Sequence, residues 1–273
     1  MYEVRHAGSK GLGVFALNLI PRGTRILSEQ PLLSLTHDED SSALYPSARQ
    51  LPAHARCTLL GLSWHSTREL EVSRWGEAAW YSAKHVFRAR ARRNVERQPR
   101  GRASIAEHAR VLSIFRSNAF ALGGKGKGMG MGMGIRQAVF AGASRINHSC
   151  VPNAQGNFHE GLGRFNVHAT RDIRRGEELS LNYLPEDGSL RDVRVGRLRE
   201  GYGFECGCPA CDVASARGRE GEQKRVRIQA LVKEFAVRAM EGQADGEGEL
   251  WTIMEFIAML ESEGIAGKEV AEL

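Results

Sequence analysis

The sequence predicts an α+β protein, and three observations carry that expectation. Short strand-like runs bounded by glycine and proline turns occupy residues 1–36. Turn-poor stretches with apolar residues at helical spacing follow, and strand-like runs return after residue 135. Strands, then helices, then strands read as a mainly β core that carries a helical insertion.

Within the first block, residues 2–5, 13–17 and 25–28 are the expected strands. They are separated by the turns Gly8-Ser9-Lys10-Gly11 and Pro21-Arg22-Gly23. Helices are expected over 53–62, 67–94 and 105–116, with Val72, Trp75 and Ala79 repeating on one face. Residues 123–134 alternate glycine with lysine and methionine. So much glycine cannot offset its own ordering entropy, so a mobile loop is expected, and the spacing does not match a phosphate-binding P-loop. Strands resume at 137–140, 154–158, 163–169 and 179–182, with Arg174-Arg175-Gly176 as the last turn. Near the C-terminus Ile228, Leu231, Val232, Phe235 and Ala239 share one helical face, and Leu250, Ile253, Met254 and Ile257 share another. A helical hairpin follows from that pattern.

A chain of 273 residues suits one elaborated domain or two small ones. No run approaches the ~18 apolar residues of a membrane span, and Met1-Tyr2-Glu3-Val4-Arg5 lacks a secretory apolar segment. The expectation is a nuclear or cytoplasmic protein, not secreted and without a membrane partner. In a reducing compartment clustered cysteines serve as metal ligands more often than as disulfides. Cys57 stands alone and reads as an inert buried thiol. The net charge of +6 owes much to the arginines between Arg88 and Arg102. A nucleic-acid contact or import signal is one reading, but a solvated helix face is favoured, because no aromatic residue beyond Phe87 interleaves the run.

The chemistry concentrates in two places. Cys206, Cys208 and Cys211 supply three ligands, one short of a zinc tetrahedron, and Cys150 is the candidate fourth if the chain folds back. Cys150 sits in Arg145-Ile146-Asn147-His148-Ser149-Cys150-Val151-Pro152-Asn153, so Asn147 and His148 would lie beside the metal and be fixed in position. Tyr183 closes the run Gly176-Glu177-Glu178-Leu179-Ser180-Leu181-Asn182-Tyr183, and Tyr202 and Phe204 precede the cysteine cluster. Either tyrosine alone reads as a core aromatic with a satisfied hydroxyl. With Asn147-His148 and the glycine turn Lys10-Gly11-Leu12-Gly13, that plain reading loses ground. Glu177 and Glu178 read as surface carboxylates at a turn rather than as catalytic bases.

These blocks together resemble the SET-domain family of protein lysine methyltransferases, in particular the branch related to SET- and MYND-domain proteins, fungal members included. Lys10 to Ala16 is similar to the strand whose backbone holds S-adenosylmethionine, and Ser117-Asn118-Ala119-Phe120 to a short motif of the same pocket. Arg145 to Asn153 is similar to the Asn-His-Ser-Cys signature, Glu178 to Tyr183 to the catalytic strand, and Tyr202 to Cys211 to the post-SET zinc motif. The last three, in this order, are specific.

The resemblance implies a mainly β SET fold with a pseudoknot, a helical insertion, a zinc-bound post-SET segment and a C-terminal helical hairpin. It divides the chain into SET core at 1–36, insertion at 37–116, SET core at 117–185, post-SET segment at 186–213 and helical region at 214–273. Lys10, Gly11, Leu12, Gly13, Asn118, Asn147, His148, Tyr183 and Phe204 would form the S-adenosylmethionine pocket. Tyr183 would be the catalytic tyrosine, with Tyr202 walling the lysine channel. Cys150, Cys206, Cys208 and Cys211 would hold one structural zinc. The implied reaction is methyl transfer to the side-chain amine of a protein lysine, histone or otherwise, by a monomer. The rival reading is a catalytically silent SET module that acts as a scaffold or transcriptional regulator. The chain departs from that branch in several places: residues 37–102 hold a single cysteine, so no MYND zinc finger is encoded there; the glycine-methionine loop before the signature is unusual; and Leu12 stands where relatives often have a polar residue.

Overall fold

The structure is a computed structural model that describes residues 1–36, 39–65, 68–91, 102–122, 135–184, 189–241 and 246–263. The glycine-methionine segment 123–134 lies outside the described residues, as does the arginine run from 92 to 101. In chain order the elements are β1 (Tyr2–His6), β2 (Leu12–Ala16), β3 (Arg25–Glu29) and β4 (Leu33–Thr36). The insertion follows as α1 (Leu44–Gln50), α2 (Ala53–Leu60), α3 (Arg68–Ala91) and α4 (Arg102–Asn118). Then come β5 (Phe120–Ala121), β6 (Ile135–Val139), β7 (Asn147–His148), β8 (Ala154–His159), β9 (Arg164–Ala169) and β10 (Ser180–Leu181). The chain continues with α5 (Arg191–Tyr202), α6 (Ala216–Met240) and α7 (Gly246–Ser262).

Among the described residues the strands form four small sheets: β1-β2, β3-β9-β8, β4-β6-β5 and the pair β7-β10. All ladders are antiparallel except β7 with β10, which run parallel. Two apolar cores meet at β6. Ala138 packs into the β core with Phe140 just beyond the strand, whereas Val139 packs into the insertion against Leu33, Leu35, Ile114 and Phe115. That split is the two-residue alternation of a strand, used to join two layers. In the β core Phe140 stacks on Phe165 at 4.7 Å between centroids, and Phe120 lies 4.7 Å from Phe165. Gly156 on β8 makes room for this cluster, because a Cβ there would lie 2.2 Å from the Phe165 ring.

Several local expectations need correction. The face of α3 carrying Val72 and Trp75 is exposed, and among the described side chains of this helix the buried ones are Arg74 and Ala78. Arg74 donates to Ser113 Oγ on α4 at 2.6 Å, so a buried guanidinium sets the rotation of this helix. Burial, with Arg116 nearby, lowers the Arg74 pKa. Cys57 is exposed rather than buried. In the α6–α7 hairpin Ile228 and Leu231 are buried, but Val232, Leu250 and Met254 are exposed. Helix α5 was not anticipated, since its arginines and glycines leave only Val195 and Leu198 as buried apolar positions. Among the described residues no helix is long and apolar enough to cross a membrane.

His108 lies in the insertion core, stacked on Tyr45 at 4.5 Å and edge-on to Tyr81 at 4.9 Å. Neither ring nitrogen has a hydrogen-bond partner among the described residues, and burial brings its pKa down to about 4. The unfolded chain therefore takes up a proton at higher pH than the folded one. Stability contributed by the neutral ring is intact above about pH 6.5 and falls as the pH drops toward 4. Urea unfolding from pH 7 to pH 4 should show the wild type losing roughly 2–3 kcal/mol more than His108→Phe. Parallel losses in the two proteins would show that His108 does not titrate in this way.

Candidate functional site

A cleft of about 880 Å³ opens where the β2 turn, the end of α4, β7, β10 and the segment after α5 converge. That volume suits a small-molecule ligand. Lys10, Leu12, Asn118, Asn147, His148, Tyr183, Tyr202 and Phe204 all line it, with Cys206 and Cys208 at one end. Gly11 and Gly13 shape the wall from behind. Gly11 has φ +78°, and Ala7 N–H donates to its carbonyl at 2.7 Å, which closes the turn before β2. A Cβ at Gly13 would lie 2.7 Å from Glu178 Oε1 and 2.9 Å from Asn147 Nδ2, so glycine lets these two side chains pack directly against β2.

The parallel pair sets the centre. Ser180 faces Asn147 and Leu181 faces His148, which lays residues 180–183 alongside the Asn-His signature. The Tyr183 N–H donates to His148 Nδ1 at 3.1 Å, and the Tyr183 hydroxyl donates to the Ile146 carbonyl at 2.6 Å. Because Nδ1 accepts, the imidazole proton sits on Nε2, which faces Cys150 Sγ at 3.3 Å. Burial drives the His148 pKa down to about 4, so the ring is neutral near pH 7. Burial also raises the Tyr183 phenol, reinforced by Tyr202 and Glu178, and burial raises Tyr202. Tyr202 lies 5.0 Å from Tyr183 between ring centroids, and Phe204 lies 6.1 Å from His148.

The four expected cysteines come together. Their Sγ atoms all lie within 4.8 Å of one another, with Cys150 3.6 Å from Cys211 and 4.0 Å from Cys206. A tetrahedral zinc with Zn–S near 2.3 Å needs sulfurs roughly 3.8 Å apart, so the donor set fits such an ion. Sulfur-to-sulfur hydrogen bonding, that from Cys150 first, pulls Cys208 down and brings Cys211 to about 7. Buried Arg194 on α5 donates to the Ala210 carbonyl at 3.2 Å and to Cys211 Sγ at 3.8 Å, placing a fixed positive charge against the sulfurs. This arginine escaped the sequence reading because nothing in its spacing marks it.

Three further residues of the cleft were missed or misread. Glu178 is no turn carboxylate: its side chain accepts from Lys10 Nζ and from Asn147 Nδ2, both at 2.7 Å. Glu177 is tied to Arg171 and accepts from Asn153 Nδ2 at 3.1 Å. His65 follows α2 and packs its ring on Gly203, where a Cβ would lie 2.0 Å from Nδ1. The same loop is strapped to α4. His65 N–H donates to Ser117 Oγ at 3.0 Å, and Asn118 Nδ2 donates to the Ser63 carbonyl at 2.7 Å. Asn118 thus lines the cleft while its amide nitrogen is spent on the insertion.

A mixed fold with a strand pair set beside a four-thiol knot defines a class, and the comparisons supply its name. The family model described as "SET domain" matches residues 11–184, and the chain belongs to the SET-domain family. It is similar to "Histone-lysine N-methyltransferase set5" of Schizosaccharomyces pombe, 26% identical over 220 residues, covering 81% of this chain and 53% of that one. It is also similar to "Protein-lysine N-trimethyltransferase SMYD5" of Homo sapiens, 43% identical over 75 residues, 27% of this chain and 18% of that one. This chain therefore spans about half the length of the first relative and less of the second. Among solved structures, the SET domain of LSMT bound to lysine and AdoHcy aligns with a TM-score of 0.47 and 15% identity, covering 75% of this chain and 53% of that one.

The His65–Gly203 contact generates a test of how the insertion meets the post-α5 segment. Gly203 has φ +76°, so Gly203→Ala meets both backbone strain and the imidazole. It should cost about 2 kcal/mol or more in chemical unfolding. In the His65→Ala background the cost should shrink by about 1 kcal/mol, leaving the backbone part. Strict additivity would remove the contact from the account.

Proposed function

We propose that this chain transfers a methyl group from S-adenosylmethionine to the side-chain amine of a protein lysine. The observation that carries the reading is the position of Tyr183. Its backbone is held by His148 and its hydroxyl by the Ile146 carbonyl, beside Tyr202, in a cleft that also contains Lys10, Leu12 and Asn147. The donor pocket would be formed by Lys10, Leu12, Asn118, Asn147, His148 and Phe204 over the Gly11 and Gly13 turn. When bound, S-adenosylmethionine supplies a methyl already activated on a positive sulfonium.

What the chain contributes is orientation and control of protonation. A lysine amine attacks only when neutral, against an ordinary pKa near 10.4. Tyr183 and Tyr202 give an aromatic wall that disfavours the ammonium form. The raised phenol of Tyr183 keeps its proton and donates it to Ile146, so its oxygen lone pairs remain free to receive an amine N–H. Tyr183 is thereby a positioning hydroxyl rather than a base.

The thiol knot of Cys150, Cys206, Cys208 and Cys211 would hold one structural zinc as thiolates. Arg194 would offset the excess negative charge. A substrate protein, histone or otherwise, and a nuclear or cytoplasmic location complete the proposal.

Incubation with labelled S-adenosylmethionine, histones and cell lysate tests the reaction. Wild type should label protein, and Tyr183→Phe should lower turnover by about 100-fold while leaving donor affinity within a few-fold. Equal labelling by both proteins would dismiss the role given to Tyr183, and no labelling by the wild type would favour a silent module. Metal analysis should return one zinc per chain. Arg194→Met should weaken zinc retention against a chromogenic chelator by roughly 10–100-fold. A stably folded, metal-free protein would contradict the knot.

A further inference from the structure

Two arginine-bearing turns are clamped side by side at the edge of the β core. Pro21-Arg22-Gly23 lies between β2 and β3, and Arg174-Arg175-Gly176 between β9 and β10. Ile20 and Ile173, both buried, exchange backbone hydrogen bonds at 2.9 Å in each direction, and Asp172 Oδ1 accepts from the Arg22 N–H at 2.8 Å. Each turn is also tied to the core, Gly23 N–H donating to the Ala169 carbonyl at 2.8 Å and Gly176 N–H to the Ala16 carbonyl at 2.7 Å. The turns line an open groove of about 1280 Å³, to which α6 adds Arg217 and α7 adds Glu261. We propose that this groove docks an acidic segment of the protein substrate, outside the cleft where transfer occurs. That the partner is a substrate rests on the reading of the cleft as a methyltransferase site; the charge recognition does not.

Charge is the first support. Five arginines line the groove, Arg22, Arg171, Arg174, Arg175 and Arg217, against three carboxylates. Two of those carboxylates are engaged, Glu177 by Arg171 and Asp172 by the Arg22 backbone. Among the described residues Arg22, Arg174, Arg175 and Arg217 have no ion-pair partner, and all four are exposed. Their planar forks are thus available to carboxylates, which arginine binds in pairs of parallel hydrogen bonds. Position is the second support: Arg171, Glu177 and Arg217 line both the groove and the cleft, so a chain laid in the groove lies next to the cleft. Rigidity is the third, because turns already fixed by backbone bonds lose little freedom when a ligand docks. The lining also favours a peptide over a nucleic acid. No aromatic side chain is present among the described lining residues for bases to stack on, and Asp172 and Glu261 would face a continuous line of phosphates. A peptide can set a neutral residue beside each of them.

Fluorescence anisotropy without any methyl donor tests the groove on binding alone. The probes are a labelled peptide of alternating glutamate and glycine, its glutamine counterpart, and single-stranded and duplex oligonucleotides. The wild type should bind the glutamate peptide about tenfold more tightly than the glutamine one, and the difference should shrink as salt is raised. Arg174→Gln/Arg175→Gln should weaken the glutamate peptide about tenfold with an unchanged thermal midpoint. Arg116→Gln/Lys233→Gln removes the same charge from exposed helix positions outside the groove and should change affinity by about twofold at most. In the labelling assay the groove variant should raise KM for an acidic protein substrate and leave kcat unchanged. Equal binding of the two peptides, equal losses in the two double variants, or no binding by the wild type would overturn the proposal. So would tighter binding of an oligonucleotide that the groove variant abolishes, which would assign the groove to nucleic acid. An unchanged KM would overturn the substrate as occupant. The anisotropy outcomes stand whether or not the cleft transfers a methyl group, so the two readings fail separately.

Discussion

One imidazole joins the two halves of this site. His148 accepts from the Tyr183 backbone on one side and presents its Nε2 proton to Cys150 Sγ on the other. The thiol knot and the tyrosine are therefore two hydrogen bonds apart, though 33 residues separate Cys150 from Tyr183. Such a link works only while the ring is neutral and fixed, which burial ensures by disfavouring its charged form. Charge on the sulfur strengthens the bond, since a hydrogen bond to an ionised acceptor is shorter and stronger. Whatever sets the protonation of Cys150 thus also sets how firmly the His148 ring, and with it Tyr183, is held.

The helical insertion is bound into the same structure at two levels. Within the core, β6 gives Ala138 to one hydrophobic cluster and Val139 to the other, so neither layer can shift without disturbing a shared strand. At the cleft, the loop through Ser63 and His65 is tied to Ser117 and Asn118 and lies on Gly203. Phe204 follows directly, so the insertion braces the segment that carries both Tyr202 and Phe204. In this way a stretch without metal-ligand spacing of its own becomes part of the cleft wall.

What the sequence made legible follows from what leaves a local signal. Turn glycines, alternating strands and the C-x-C-x2-C run of Cys206, Cys208 and Cys211 are visible because backbone geometry and metal coordination constrain adjacent residues. The α+β class and the convergence of Asn147, His148, Tyr183 and Tyr202 could be read from those signals and the family resemblance. Arg74, Arg194, Glu178 and His65 could not, because each owes its position to partners distant in sequence, up to 168 residues away. Periodicity alone also left the rotation of α3 open: Val72 and Trp75 repeat on one face, yet that face is exposed, while Arg74, bonded to Ser113, lies buried. Apolar spacing says that a helix has faces. Which face is buried depends on what the neighbouring helix offers.

The ionisable groups of the cleft point to the kind of chemistry it can support. Its four lining carboxylates are each paired, Glu177 with Arg171, Glu178 with Lys10, Glu205 with Arg199 and Glu263 with Arg225. His148 has both ring nitrogens engaged, and Tyr183 holds its proton. Among the described residues, no carboxylate of the wall is left unpaired to act as a strong general base. A reaction that demanded proton abstraction in its rate-limiting step would be poorly served here. Methyl transfer from a sulfonium to an amine makes no such demand, because enclosure disfavours the ammonium form and its proton can pass to solvent ahead of the transfer step, and what remains is alignment of nucleophile, methyl and leaving group. A wall of paired charges and protonated phenols is suited to that task, since it can hold a polar ligand in one orientation without competing for its protons.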